Sequence, residues 1–235
     1  MTEVSSLEVT KVLTDSRDAF ARLLATYFSA NYSGSHFEFF DGRGDNNQSK
    51  DVFTYADAFA PSFLSVTVPP HLAYRLVEGD LATKVATELV QIPVGKPLHE
   101  FSENPLTGAS LALWELVIDG GQATVTTSKL LARKRPHLLP VLDSVVKDAL
   151  RQGDCGRWNH FFTLFSDPEL VAAVTEIQRV AVGMEPGFPN IAELSLLRVF
   201  DIALWMEHQA ALSRKEPEKT KASHKKECLL AYLKS

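Results

Sequence analysis

The amino-acid sequence predicts an all-α fold of two packed helical layers, and three observations carry that expectation. Apolar residues recur at three- and four-residue steps over most of the chain. Proline and glycine punctuate those runs where helices begin and end. The strict alternation of a half-buried strand is nearly absent, with Phe37 to Phe40 the one strand-like cluster.

Taken in order, Val12, Leu13, Ala19, Phe20, Leu23, Leu24, Tyr27 and Phe28 mark the apolar face of an amphipathic helix. Thr14 and Asp15 are candidate caps for it. Residues 42–50, GRGDNNQSK, read as a polar loop. A second helical pattern runs from Asp51 through Phe53, Ala56, Phe59 and Phe63, with Pro61 set to kink or end it. Pro69-Pro70 opens another helix and Gly79 closes it. Leu81 to Val90 is a further short helix, and residues 93–108 form a loop rich in proline and glycine. Leu111 to Val117 and Thr124 to Ala132 are two helices around a tight turn at Asp119-Gly120-Gly121. A helix begins near Asp143, another starts at Asp167-Pro168 and runs to Val180, and Ile191 to Leu212 is a long apolar helix.

Composition narrows the function classes. The 235 residues are 45% hydrophobic and 23% charged, an ordinary globular balance that can bury a core. No apolar run approaches the ~20 residues a membrane-spanning helix needs. The start, MTEVSSLEVTK, lacks the pattern of a signal peptide, so a soluble cytoplasmic protein is expected. Two cysteines, Cys155 and Cys228, are too few for a disulfide framework or a four-cysteine iron–sulfur cluster. The histidines show no close pairs at metal-ligand spacing, and no phosphate-cradling loop or nucleophilic triad is legible, so no cofactor is expected.

Net charge of −5 argues against a general polyanion binder, yet the charge is uneven. Between Lys129 and Arg157 seven basic residues face three acidic ones, with Arg133-Lys134-Arg135 at the end of a helix. That run is either a solvated helix terminus or a local phosphate-binding patch. Asp143 followed by Ser144 reads as a helix N-cap, a role compatible with a catalytic one. Trp114 and Trp158 are core aromatics or surfaces for stacking on an extruded base.

The run from Leu113 to Val146, LWELVIDGGQATVTTSKLLARKRPHLLPVLDSVV, resembles the core of the helix-hairpin-helix DNA glycosylase superfamily. Gly121 falls on the first hairpin glycine, Thr126 on the family threonine and Asp143 on its catalytic aspartate, with the spacing kept. Phe63 to Pro69, followed by Ala73 and Leu76, is similar to the segment that opens the family's domain. The Ser-Lys-Leu-Leu-Ala-Arg-Lys-Arg-Pro stretch also resembles a signature of an uncharacterised bacterial family.

The resemblance implies a DNA-binding protein working on duplex DNA. In it, Gly120, Gly121, Gln122, Ala123, Thr124, Lys129, Arg133, Lys134 and Arg135 would meet phosphates. Asp143 would stabilise positive charge at the sugar of a flipped nucleotide. Trp114 and Trp158 are the candidate base pocket. The implied activity is a monofunctional glycosylase, a base-excision hydrolase of the N-glycosidic bond, because Val125 stands where lyase members carry lysine. Other departures are Ala123 for the second hairpin glycine, Gly120 for the usual proline, and Val66 for the intercalating glutamine. They keep open a non-catalytic module that binds DNA or protein. The expected organisation is residues 1–50 returning to pack with the C-terminal helices, 51–150 as the hairpin core, 151–212 as the C-terminal helical part, and 213–235 as a basic linker and short tail helix.

Overall fold

Residues 31–142 form one unit and the flanking stretches 1–30 and 143–235 come together as another, in a computed structural model. It describes residues 3–29, 32–118, 124–151, 158–184 and 189–214. Among these the fold is all-α, without a strand. The two boundaries differ from those expected at 50 and 150, because residues 31–50 belong with the central unit and residues 143–150 with the terminal one.

The terminal unit begins with α1 (Ser6–Asp15), where Ser5 Oγ accepts from Glu8 N–H and the Glu8 carboxylate accepts from Ser5 N–H. This reciprocal cap satisfies two donors that a helix start leaves open. Ser16 interrupts the first turn between α1 and α2 (Arg17–Ser29), so the single helix read from the periodicity is two. After the central unit follow α8 (Ser144–Ala149), α9 (Asn159–Phe165), α10 (Pro168–Met184) and α11 (Leu196–Arg214). Leu170, Val174, Ile177 and Ala181 make one buried stripe on α10, which packs against α1, α2 and α11. Asp167 Oδ1 accepts from Glu169 N–H at 2.9 Å, and Pro168 occupies the first helical position, where a missing N–H costs nothing.

α11 is buried at every position from Leu197 to Glu207 except half-buried Trp205, because it touches α2, α8 and α10. It starts at Leu196 instead of Ile191. Pro189–Glu193 is a 3-10 turn, and Ser195 Oγ accepts from Arg198 N–H at 3.2 Å to set the new start. Arg198 is buried in turn on the Asp201 carboxylate and donates to Tyr27 Oη at 2.9 Å. Val4 N–H donates to Leu150 O at 3.2 Å, which ties the N-terminal segment to the end of α8.

The central unit holds α3 (Tyr55–Phe59), α4 (Pro70–Val77), α5 (Ala82–Gln91), α6 (Ala109–Ile118) and α7 (Thr124–Lys134). The helix expected from Asp51 to Phe63 is shorter. Pro61 cannot donate, so the chain tightens into a 3-10 turn over Ala60–Leu64 and leaves through Ser65 at φ 61°. Phe37 to Phe40 is no strand; it turns between two short 3-10 segments, Ser33–His36 and Phe40–Gly42. Gly79 N–H bonds Tyr74 O at 2.9 Å and ends α4 as expected. α5 packs on α6, α6 on α7, and α7 on α3.

Candidate functional site

α7 is the element on which the expected site residues concentrate, and its C-terminal end is interior. Lys129, Arg133, Lys134 and Arg135 are at most 3% exposed. Each cation is consumed by the fold. Lys129 Nζ donates to Leu64 O at 2.8 Å. Arg133 donates from Nη1 to Phe37 O (2.7 Å) and Glu38 O (2.5 Å), from Nη2 to Phe40 O, and from Nε to Asp57 Oδ1 (3.3 Å). Lys134 Nζ reaches Ser49 O (2.8 Å) and Asp57 Oδ2 (3.0 Å). Arg135 donates to Ile92 O (2.8 Å), Lys50 O (2.7 Å), Asp51 Oδ1 (2.8 Å) and Leu89 O.

The four cations thus act as internal staples. Arg133, Lys134 and Arg135 gather carbonyls from the segment between Phe37 and Asp51, whose irregular backbone offers acceptors that no ladder uses, and Lys129 holds the Leu64 carbonyl. Asp57 serves twice. Its carboxylate accepts from Thr54 N–H (3.0 Å) in a capping box that starts α3, and it is the counter-ion of Arg133 and Lys134. Burial pulls the Arg133, Lys134 and Arg135 pKa values below their ordinary range, while Asp57, and Asp51 for Arg135, work in the opposite direction. Gly44 completes the cluster: a Cβ there would lie 2.5 Å from Arg133 O and 2.8 Å from Asp57 Oδ1.

The expectation that Lys129, Arg133, Lys134 and Arg135 meet DNA phosphates is therefore corrected, and so is the solvated helix terminus. A phosphate cannot reach a donor already spent on a buried carbonyl. The exposed surface of the central unit has the opposite sign. Among its described residues Asp41, Glu78, Asp80, Glu100, Glu103 and Glu115 are exposed, against Lys84 and Lys96 alone of the lysines and arginines. Gly120, Gly121, Gln122 and Ala123 lie outside the described residues, and Thr124 is the half-buried first residue of α7.

Asp143 is half-buried and caps α8, its Oδ1 accepting from Val145 N–H at 2.8 Å. The segment leading to it is held from α7: Ser128 Oγ donates to Val125 O (2.9 Å) and accepts from Leu142 N–H (3.0 Å). Trp114 and Trp158 are each 1% exposed, Trp114 inside the central unit and Trp158 inside the terminal one. Neither indole face is open to a base, so the expected pocket is corrected to two core residues. Among the described residues no three histidine, cysteine, aspartate or glutamate side chains gather as a metal would require.

Asp57, Asp51 and Gly44 were not singled out from the sequence. The spacing of Thr54 and Asp57 ahead of an apolar run is a legible cap signal, whereas nothing local marks Asp57 as a buried counter-ion.

These features define an all-α, two-unit protein whose basic run is structural. Residues 20–208 match the model of a family of unknown function (DUF6308), and the chain belongs to that family. No curated protein and no solved structure matches it.

Proposed function

We propose that this chain is a non-catalytic binding module, related in layout to helix-hairpin-helix proteins, that engages a protein partner. One observation carries the reading: the cations that a nucleic-acid interface needs are inside the central unit, bonded to carbonyls and to Asp57 and Asp51, while its exposed charge is acidic. Sequence-independent DNA affinity comes mainly from neutralising phosphates and releasing counter-ions. A surface on which carboxylates outnumber cations works against that. The test is anisotropy of labelled duplex and single-stranded DNA at several salt concentrations. Binding that stays weak with a shallow salt dependence is expected; tight binding that weakens steeply with salt would sink the proposal.

A second reading, a monofunctional glycosylase, is favoured by Asp143. Its carboxylate stands at a helix start, reached through a segment tethered to Ser128, at the spacing from Thr126 that the sequence resemblance requires. In that chemistry the carboxylate would stabilise the developing sugar cation and position water. Release of a base from alkylated, deaminated or oxidised duplexes, lost in Asp143→Asn, would replace the first reading with this one.

A further inference from the structure

The central unit carries a ridge of exposed aromatic rings. Tyr55 and Phe59 lie one turn apart on the outer side of α3, 50% and 54% exposed, while Asp57 and Ala58 face inward. Phe59 continues into Phe40 and Phe63, with ring centroids 5.3 and 5.5 Å away, and those two close the cluster at 5.2 Å. Tyr74, 55% exposed, stands on α4, and His36 meets the Phe63 ring at 5.6 Å. Three large rings at least half exposed, two on α3 and one on α4, are poor use of apolar surface unless something covers them.

The charge along the ridge is acidic. Glu78 accepts from Tyr55 Oη at 2.8 Å, and exposed Asp41 follows Phe40 directly. The cations nearby are held within the chain: Arg75 is bidentate on Asp80, and Arg43 bonds Asp45 while covering the Phe39 ring. Aromatic faces attract cations through their quadrupole, and arginine stacks on them with its charge intact. Rings with carboxylates beside them are complementary to guanidinium and ammonium groups and repel phosphate.

We propose that this ridge docks a basic segment of a partner protein, its arginine and lysine side chains lying over Tyr55, Phe59 and Phe63 with Glu78 and Asp41 as counter-charges. The proposal rests on the protein-binding reading above and names the site and the chemistry of its partner. The aromatic rings supply the area and the carboxylates the selection.

The test uses the full chain and three labelled probes: an arginine- and lysine-rich peptide, the same peptide with glutamine for every cation, and an oligothymidine strand. The basic peptide should bind saturably and the glutamine peptide should not. Tyr55→Ser with Phe59→Ser, both at exposed positions that leave the core untouched, should weaken the basic peptide about tenfold. Glu78→Gln should weaken it about threefold and flatten its salt dependence, whereas Glu103→Gln, the same charge change outside the ridge, should not. Circular dichroism of each variant checks that the helices are intact. Peptide binding unmoved by the ring substitutions would overturn the ridge and leave the protein-binding reading standing. Preference for oligothymidine, with tight duplex binding, would overturn both. A concentration-dependent dimer in sedimentation that the ring substitutions abolish would assign the ridge to a second copy of this chain and overturn the basic partner.

Discussion

Asp57 faces Arg133 and Lys134 at once: Oδ2 lies 3.0 Å from Lys134 Nζ and Oδ1 lies 3.3 Å from Arg133 Nε, with all three side chains buried. Removing one partner of such a group strands charge in a poor solvent, which commonly costs about 3–5 kcal/mol. Asp57→Ala also removes the Asp57 half of the α3 capping box, the acceptor for Thr54 N–H, and should fall at the upper end of that range. Asp57→Asn keeps a cap acceptor and should cost less. Urea unfolding monitored by circular dichroism measures both. A loss under 1 kcal/mol for the alanine variant would show that the network does not hold the unit together. The same reasoning expects charge reversal at Arg133 to unfold the protein, where a surface patch would only change its salt dependence.

Gly44 packs against the backbone of α7, so even a methyl group is too large there. Gly44→Ala is expected to destabilise the chain by about 1–3 kcal/mol, because the contact atom is a backbone carbonyl that cannot swing aside. Gly42 and Gly95 have open space at the Cβ position but positive φ, so alanine there meets only backbone strain. Melting temperatures of the three variants should single out Gly44 as the one whose loss tracks with Arg133 and Asp57 variants.

His160 titrates against burial. Its Nδ1 lies 3.2 Å from the Glu3 carboxylate, yet burial outweighs that neighbour and lowers its pKa below 6.5. The unfolded chain then binds the proton more readily than the folded one. The His160 contribution is intact above pH 6.5 and is lost as pH falls toward the folded value. His160→Phe should be less sensitive to pH over that interval than the parent chain. Denaturant midpoints measured across it decide the matter, and parallel curves for the two proteins would remove His160 as a contributor.

Asp143 separates the two functional readings without much structural penalty. Asparagine also caps helices, so Asp143→Asn should change stability by under about 1 kcal/mol, and Asp143→Ala should lose about 1 kcal/mol. Under the binding-module reading both variants release no base and bind the basic peptide as the parent does. Under the glycosylase reading the parent releases a base and Asp143→Asn slows it by orders of magnitude, since one charge facing the transition state is commonly worth ~3 kcal/mol or more. A single glycosylase assay on parent and variant distinguishes these outcomes.

Local pattern was enough to specify the helical class, the start of α10 at Asp167-Pro168, the Gly79 stop, and Asp143 as a cap. Each follows from interactions within a few residues: helical period, a cap side chain, a glycine whose missing side chain leaves room beside the Arg75 backbone. The fate of Arg133, Lys134 and Arg135 was decided only by tertiary structure. Their acceptors are backbone carbonyls of residues 37, 38, 40, 49, 50, 89, 92 and 134, together with carboxylates at 51 and 57. A carbonyl belongs to every residue and leaves no mark in the amino-acid order. Local pattern tells that a cation is present; whether it meets water, a phosphate or a buried carbonyl depends on which distant backbone the fold brings beside it.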